Sequence, residues 1–437
     1  MSTMNCPQTR ANFMDRQFCA RRPFEFVSKT TQLSSGRTRE GFTVTRSIRY
    51  SILLATIVVA IVGCSRIDHG RPVAVGDNSL DHDVAQEADA PVPSPPPAQL
   101  VRAESNVPMT KLGPGQRPPQ FILFSFDGVG LTPNWDMFLE TAERVDARFS
   151  ALMTGLYFLT NDNAGHYQGP GHKPGKAAIA FGGESQDVLE QIDYLNRTWL
   201  AGHEMGTHYV GHFCKGAGSH GDQWTTTDWT HELNQFFSLM ANWRENNEIT
   251  GGADLLFGPE EVKGGRTQCL EGKLDQMIPA WHEFGMTWDS SQPASHAGIS
   301  WPHKIEGIWE FPIPYVYSPP LGKHQTALDY NFWYTLNGAK NDPATTRRAH
   351  EITKETYDYM FDQAYDGNRA PLVIANHFND WNGNAFNPAT ADFMAEVCGK
   401  PDTHCATYSD LVAWMELQDP EMLTQWQNLP PVAVGAV

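Results

Sequence analysis

From residue 120 onward, short continuous apolar runs alternate with stretches of helical period. Residues 120–126 and 150–159 are largely apolar, β-branched or aromatic, which suits strands covered on both faces. Over 186–200, Val188, Leu189, Ile192, Leu195 and Leu200 recur at near-helical spacing and Gly202 follows as a stop, predicting a helix. Further helices are expected over 229–244, 274–284, 347–365 and 392–397, and strands over 204–210, 265–266, 286–289, 308–313 and 372–376. Repeated strand-helix units over roughly 300 residues predict an α/β fold of (β/α) barrel type. In such barrels chemistry collects at the carboxyl ends of strands, where Asp127, His208, Asp289 and His377 all fall.

The chain before residue 120 reads differently. Arg46 and Arg49 precede the apolar run 52–62, which ends at Gly63-Cys64, the pattern of a secretory signal. The run is too short to span a bilayer core of about 30 Å. Ile61-Val-Gly-Cys64 resembles a bacterial lipoprotein signal, in which Cys64 would carry the lipid; a plain secreted chain is the alternative. Residues 65–119 are rich in Pro, Ala, Asp and Gly and offer little to a core. The expected organisation is therefore an N-terminal extension and signal over 1–63, a tether over 64–119 and a catalytic domain over 120–437, outside the cytoplasmic membrane and anchored to it through Cys64.

Charge narrows the partners. The 437 residues carry a formal charge of −18, and without the basic first fifty residues 23 basic residues face 47 acidic ones. Such a surface argues against nucleic acid or an anionic polymer and is compatible with a neutral sugar chain. No protein partner is implied.

The candidate chemistry lies in His208-Tyr-Val-Gly-His212 and in Asp127 at the end of the run 120–126. Two imidazoles four residues apart can hold one divalent metal, and a carboxylate at a strand end can serve beside it as base or ligand, so metal-assisted hydrolysis is the first expectation. The flanking His203-Glu-Met-Gly-Thr-His208 has one residue too many for the zinc-protease helix motif, since positions five apart do not share a helix face.

Ser125-Phe-Asp127-Gly128, His208 to His212, Gly265-Arg266, Trp288-Asp289-Ser290 and Asn376-His377 together resemble, in order, the stations of the polysaccharide deacetylase family, also called the NodB-homology or chitin-deacetylase-like carbohydrate esterases. The resemblance implies a distorted, seven-stranded (β/α) barrel and removal of acetyl groups from an acetylated polysaccharide. It implies a divalent metal, zinc first and cobalt or nickel next, on His208 and His212. Asp127 is implied as base, Arg266 as its orienting partner, His377 as the acid to the leaving nitrogen, and Asp289 as the residue that tunes His377. Cys269, where the family has an aromatic residue, is implied to keep only a backbone N–H for the oxyanion. The family's second Asp, a metal ligand, is Gly128 here. Either Asp127 turns to the metal, or a loop carboxylate such as Asp222 substitutes, or the site is weak or empty.

With Cys64 lipidated and Cys6 and Cys19 removed, Cys214, Cys269, Cys398 and Cys405 remain, and export permits disulfides. The expected pairs are Cys398–Cys405, a short local loop, and Cys214–Cys269, which follow the His pair and the Arg segment; a cysteine zinc site is the alternative. Trp224, Trp229, Trp301, Trp309, Trp333 and Trp381 are candidate sugar-stacking residues, most of them expected in the core. Trp381, close after His377, is the one expected at a groove.

Overall fold

The computed structural model describes residues 100–435; the signal, Cys64 and most of the tether lie outside them. Twelve strands follow in chain order: β1 (Gln120–Asp127), β2 (Phe149–Met153), β3 (Glu204–Thr207), β4 (Gly264–Gly265), β5 (Trp288–Asp289), β6 (Pro293–Ala297), β7 (His303–Ile305), β8 (Ile308–Glu310), β9 (Ile313–Ser318), β10 (Lys323–Thr326), β11 (Leu372–His377) and β12 (Thr403–Cys405). Seven of them run parallel in the order β11-β1-β2-β3-β4-β5-β8 and curl into an open barrel, the distorted (β/α) barrel expected. An antiparallel β7 closes one edge, and β12 pairs with the start of β1. A second sheet, β10-β9-β6, lies apart from this path.

The continuous apolar run of β1 is explained by its place in the middle of the sheet: all eight residues are buried, paired to β11 and β2. Its outer face packs against helices, with Phe126 against Phe138 of helix Asn134–Arg144 and Phe124 against Phe393 of helix Phe386–Val397. Helix Ser185–Leu200 buries Val188, Ile192 and Leu195, and helix Thr226–Ala241 buries Trp229, Leu233 and Phe236. At β4 the chain cannot carry a side chain: a Cβ on Gly264 would meet Trp288 at 2.2 Å, and one on Gly265 the Thr207 carbonyl oxygen at 2.1 Å. Two glycines thus let β4 slip between β3 and β5 and deliver Arg266 to the barrel interior.

Three expectations shift. The run 150–159 is a strand only to Met153, after which Gly155–Phe158 forms a 3-10 turn, because apolar composition alone does not separate the two. The run 308–313 divides between β8 and β9, which belong to different sheets. Residues 100–119, assigned to the tether for their composition, lie fastened along the domain. Ala103 N–H donates to the Leu200 carbonyl at 2.8 Å, Arg102 reaches Glu261 at 2.8 Å, and Val107 is buried. Backbone and single-side-chain bonds hold this segment, and neither leaves a periodic signal. Among the described residues no helix is long and apolar enough to cross a membrane.

Candidate functional site

The strand register assembles the site. Asp127 and His377 end β1 and β11 as direct partners in the ladder, His208 follows β3 and Arg266 follows β4. Four stations distant in sequence therefore meet at the carboxyl end of the sheet.

Asp127, only 3 % exposed, receives Arg266 Nη1 on Oδ1 at 2.5 Å. Burial pushes its carboxyl up, but the Arg266 guanidinium, followed by His208 and His377, outweighs burial and holds it below the usual carboxylate range. Arg266 is wholly buried: Nε donates to the Ser290 carbonyl at 2.9 Å, and Nη2 donates to Ser125 Oγ at 3.0 Å, Ser290 Oγ at 2.8 Å and the Tyr408 hydroxyl at 3.0 Å. Every face of the fork is used, so Asp127 is locked in one orientation.

His377 faces the other oxygen, its Nε2 lying 4.0 Å from Asp127 Oδ2. The Nδ1 atom lies 2.8 Å from Asp329 Oδ1, and the His377 backbone N–H donates to Asp329 Oδ2 at 2.7 Å. Burial pulls this imidazole down, but Asp329 and then Asp127 outweigh burial and raise it above its ordinary value. The partner of His377 is thus Asp329, at the start of helix Asp329–Asn337, and not Asp289. Asp289 turns away, accepting from Ser291 Oγ at 2.6 Å and Ser291 N–H at 2.8 Å, beside its ladder partner Glu310. Burial raises Asp289 to about 6, and raises Glu310 well above the carboxylate range, with Asp289 adding to it, so this pair retains a proton. Asp329 was missed because it looks like an acidic first residue of a helix, an ordinary capping position. A one-residue parallel bridge, Leu328 to Ala375, sets it beside His377.

The His208–His212 segment is a turn, with Tyr209 at φ 54° and His212 at φ 53°. Buried Glu232 holds it, accepting the Gly211 N–H at 2.9 Å and the Tyr167 hydroxyl at 2.9 Å, and Gln268 Nε2 donates to the His208 carbonyl at 2.7 Å. The ring centroids of His208 and His212 lie 5.4 Å apart. His208 Nδ1 lies 2.8 Å from the Arg266 carbonyl oxygen, which can only accept, so Nδ1 carries the proton and Nε2 offers its lone pair. That Nε2 is buried with no hydrogen-bond partner among the described residues. Burial drives His208 down to about 3 and His212, with His377 also acting on it, down to about 4, keeping both neutral as ligands must be.

These two imidazoles fit a divalent metal, but zinc ordinarily takes three protein ligands. Gly128 supplies none; a Cβ there would lie 3.5 Å from His208 Cδ2 and 3.1 Å from Thr154 Oγ1. Asp222 does not stand in for the missing ligand: it clusters with His220 and Glu271 and accepts the Gly272 N–H at 3.0 Å. Asp127, which ends β1 immediately before Gly128, is the carboxylate nearest in sequence to the vacated position.

Both expected disulfides are present, Cys214–Cys269 and Cys398–Cys405. The first ties the loop after His212 to the loop after Arg266, and it removes both thiols as metal ligands. With its sulfur in that bridge, Cys269 has only its backbone left to donate to a substrate. Trp381 lies with its ring 4.8 Å from that of His377 and stacks on Trp333 at 5.1 Å and 18°, with Tyr330 edge-on at 5.4 Å. These three half-buried rings form a ledge beside the acid candidate, whereas Trp224, Trp229, Trp301 and Trp309 are core.

No family model matches the chain, and no curated protein matches it. Solved structures similar to it include a protein of Mycobacterium smegmatis assigned as a polysaccharide deacetylase, at 16% identity over 75% of this chain and 99% of the other, with a TM-score of 0.41. A chitin deacetylase from Colletotrichum lindemuthianum is 13% identical over 64% of this chain and 84% of the other, with a TM-score of 0.36. A family 4 carbohydrate esterase from Streptomyces lividans, in complex with acetate, is 11% identical over 66% and 91%, with a TM-score of 0.33.

Proposed function

We propose that this chain is a hydrolase that removes acetyl groups from the nitrogen of an acetylated, chitin-like, peptidoglycan or exopolysaccharide chain outside the cytoplasm, held to a bacterial membrane by a lipid on Cys64. The observation that carries the reading is one carboxylate gripped on one oxygen by Arg266 while its other oxygen faces an imidazole at 4.0 Å, itself held by Asp329. A base and an acid set opposite each other are what amide hydrolysis requires. Asp127 takes a proton from water as the water oxygen adds to the acetyl carbon. His377, charged and oriented through Nδ1, gives a proton from Nε2 to the leaving nitrogen as the C–N bond breaks, and the products are acetate and a free amine. His208 and His212 would hold a divalent ion, zinc first. Such an ion, when bound, polarises the acetyl carbonyl and lowers the pKa of the attacking water. The same groups would cleave an O-acetyl ester.

Gly128 favours a second reading, a carbohydrate-binding lipoprotein that kept the groove and lost the metal. Acetate release and metal content of the purified protein separate the two. The hydrolase reading expects acetate from N-acetylated oligosaccharide or peptidoglycan, abolished in Asp127→Asn and His377→Ala, and about one bound divalent ion lost in His208→Ala. No acetate from any of these polymers with added zinc, cobalt or nickel would leave the binding protein as the better account.

A further inference from the structure

Beside Asp127 and His377 opens a cavity of about 490 Å³, within the range of small-molecule sites. Its wall includes Gly128 and Phe378, the residues that follow Asp127 and His377 on paired strands, so the cavity shares a rim with the proposed chemistry. Gln191, 3 % exposed, also lines it. Its Nε2 donates to the Val129 carbonyl at 2.9 Å, and because a carbonyl only accepts, the amide orientation is set and Oε1 is the free atom. That Oε1 is buried with no partner among the described residues, an acceptor waiting for a donor. Two carboxylates, Asp187 and Asp380, line the same space, and no Lys, Arg or His does. Asp187 Oδ2 accepts the Glu184 N–H at 2.7 Å and Asp380 Oδ1 accepts Asn134 Nδ2 at 3.0 Å, neither of which is a charged partner, so no side chain of the wall brings a positive charge to either carboxylate.

A neutral acetamide would satisfy Gln191 through its N–H and leave both charges unanswered. An ammonium group offers three donors and a positive charge at once. We infer that this cavity holds a sugar unit bearing a free ammonium, the deacetylated neighbour of the unit being cleaved, so that partly deacetylated chains are preferred over fully acetylated ones. The inference rests on the hydrolase reading and adds a direction to it, since each turnover creates the amine that the cavity favours once the chain advances.

The test is calorimetric titration of the purified full-length protein with a glucosamine tetramer and with its fully N-acetylated counterpart, run alongside acetate release from the acetylated one. Tighter binding of the glucosamine tetramer by about tenfold is expected, weakened several-fold in Asp380→Asn and further in Asp187→Asn/Asp380→Asn, and reduced by salt. The variants decide the matter, because a chain of net charge −18 attracts any cation, and only attraction at the cavity depends on these two carboxylates. A melting curve checks that the double variant is folded; Asp380→Asn, at an exposed position, stands alone if it is not. Equal or tighter binding of the acetylated tetramer, or a preference untouched by the carboxamide variants, overturns the inference even where acetate is released. Preference without acetate release supports the cavity assignment and sinks the hydrolase.

Discussion

Among the described residues Arg266 is the only charged group that a hydrogen bond joins to Asp127, and replacing it with Met leaves a carboxylate 3 % exposed. Of the other acceptors of the guanidinium the hydroxyls are not stranded, and the Ser290 carbonyl, which is neutral, loses its donor. Ser125 Oγ and the Tyr408 hydroxyl already lie 3.1 Å apart, and Ser290 Oγ donates to the Phe311 carbonyl at 2.8 Å. The loss therefore concentrates on Asp127, and breaking a buried pair of this kind destabilises by about 3–5 kcal/mol. Adding Asp127→Asn neutralises the stranded charge, so the double variant is expected to recover part of the loss, with a coupling energy of about 2–3 kcal/mol. Urea denaturation of the wild type, both single variants and the double variant at pH 7 gives that coupling directly. In Arg266→Met the burial of Asp127 is no longer outweighed, so its carboxyl rises and the instability should ease as pH falls and the group takes up a proton. A coupling below about 0.5 kcal/mol, or a single-variant loss under about 1 kcal/mol, would refute the claim that this ion pair organises the site.

Asp329→Asn keeps the shape of the His377 partner and removes the charge that raises the imidazole. Since His377 must be protonated to act as acid, the basic limb of the kcat/KM profile should move to lower pH, with kcat down by about 10²-fold or more; an unmoved limb would exclude this pairing from the chemistry. Gly128→Asp places a carboxylate beside His208, and metal affinity measured by competition with a chelator should rise. The residue sits at φ +57°, so stability should fall by about 1 kcal/mol. Glu232 is raised by burial from 4.5 to about 7, which makes it a group whose stabilising, protonated form is lost as pH climbs through that interval. Glu232→Gln should keep the bonds to Gly211 and Tyr167 and melt increasingly above the wild type between about pH 4.5 and 7, by up to about 3 kcal/mol; parallel melting curves across that range would contradict the buried charge.

What the chain's own pattern determined was the barrel and the stations along it. The runs that became β1 and β11 are continuous because both faces of a central parallel strand are covered, and that burial writes itself into composition. Asp127 and His377 were legible because each ends such a run, His208 by its spacing to His212, and Arg266 by its place in the order of stations; one disulfide was named from cysteines just beyond His212 and Arg266, the other from its short local loop. Asp289 passed for the partner of His377 by its place in that order. Only the tertiary structure seated Asp329 there, 48 residues upstream, through a bridge one residue long that has no periodicity to read. The tautomer of His208, the bare Oε1 of Gln191 and the aromatic ledge of Trp333 and Trp381 were likewise decided by contacts between distant segments. Local pattern reports which face a residue buries; which residue it then meets depends on how the strands are ordered and registered.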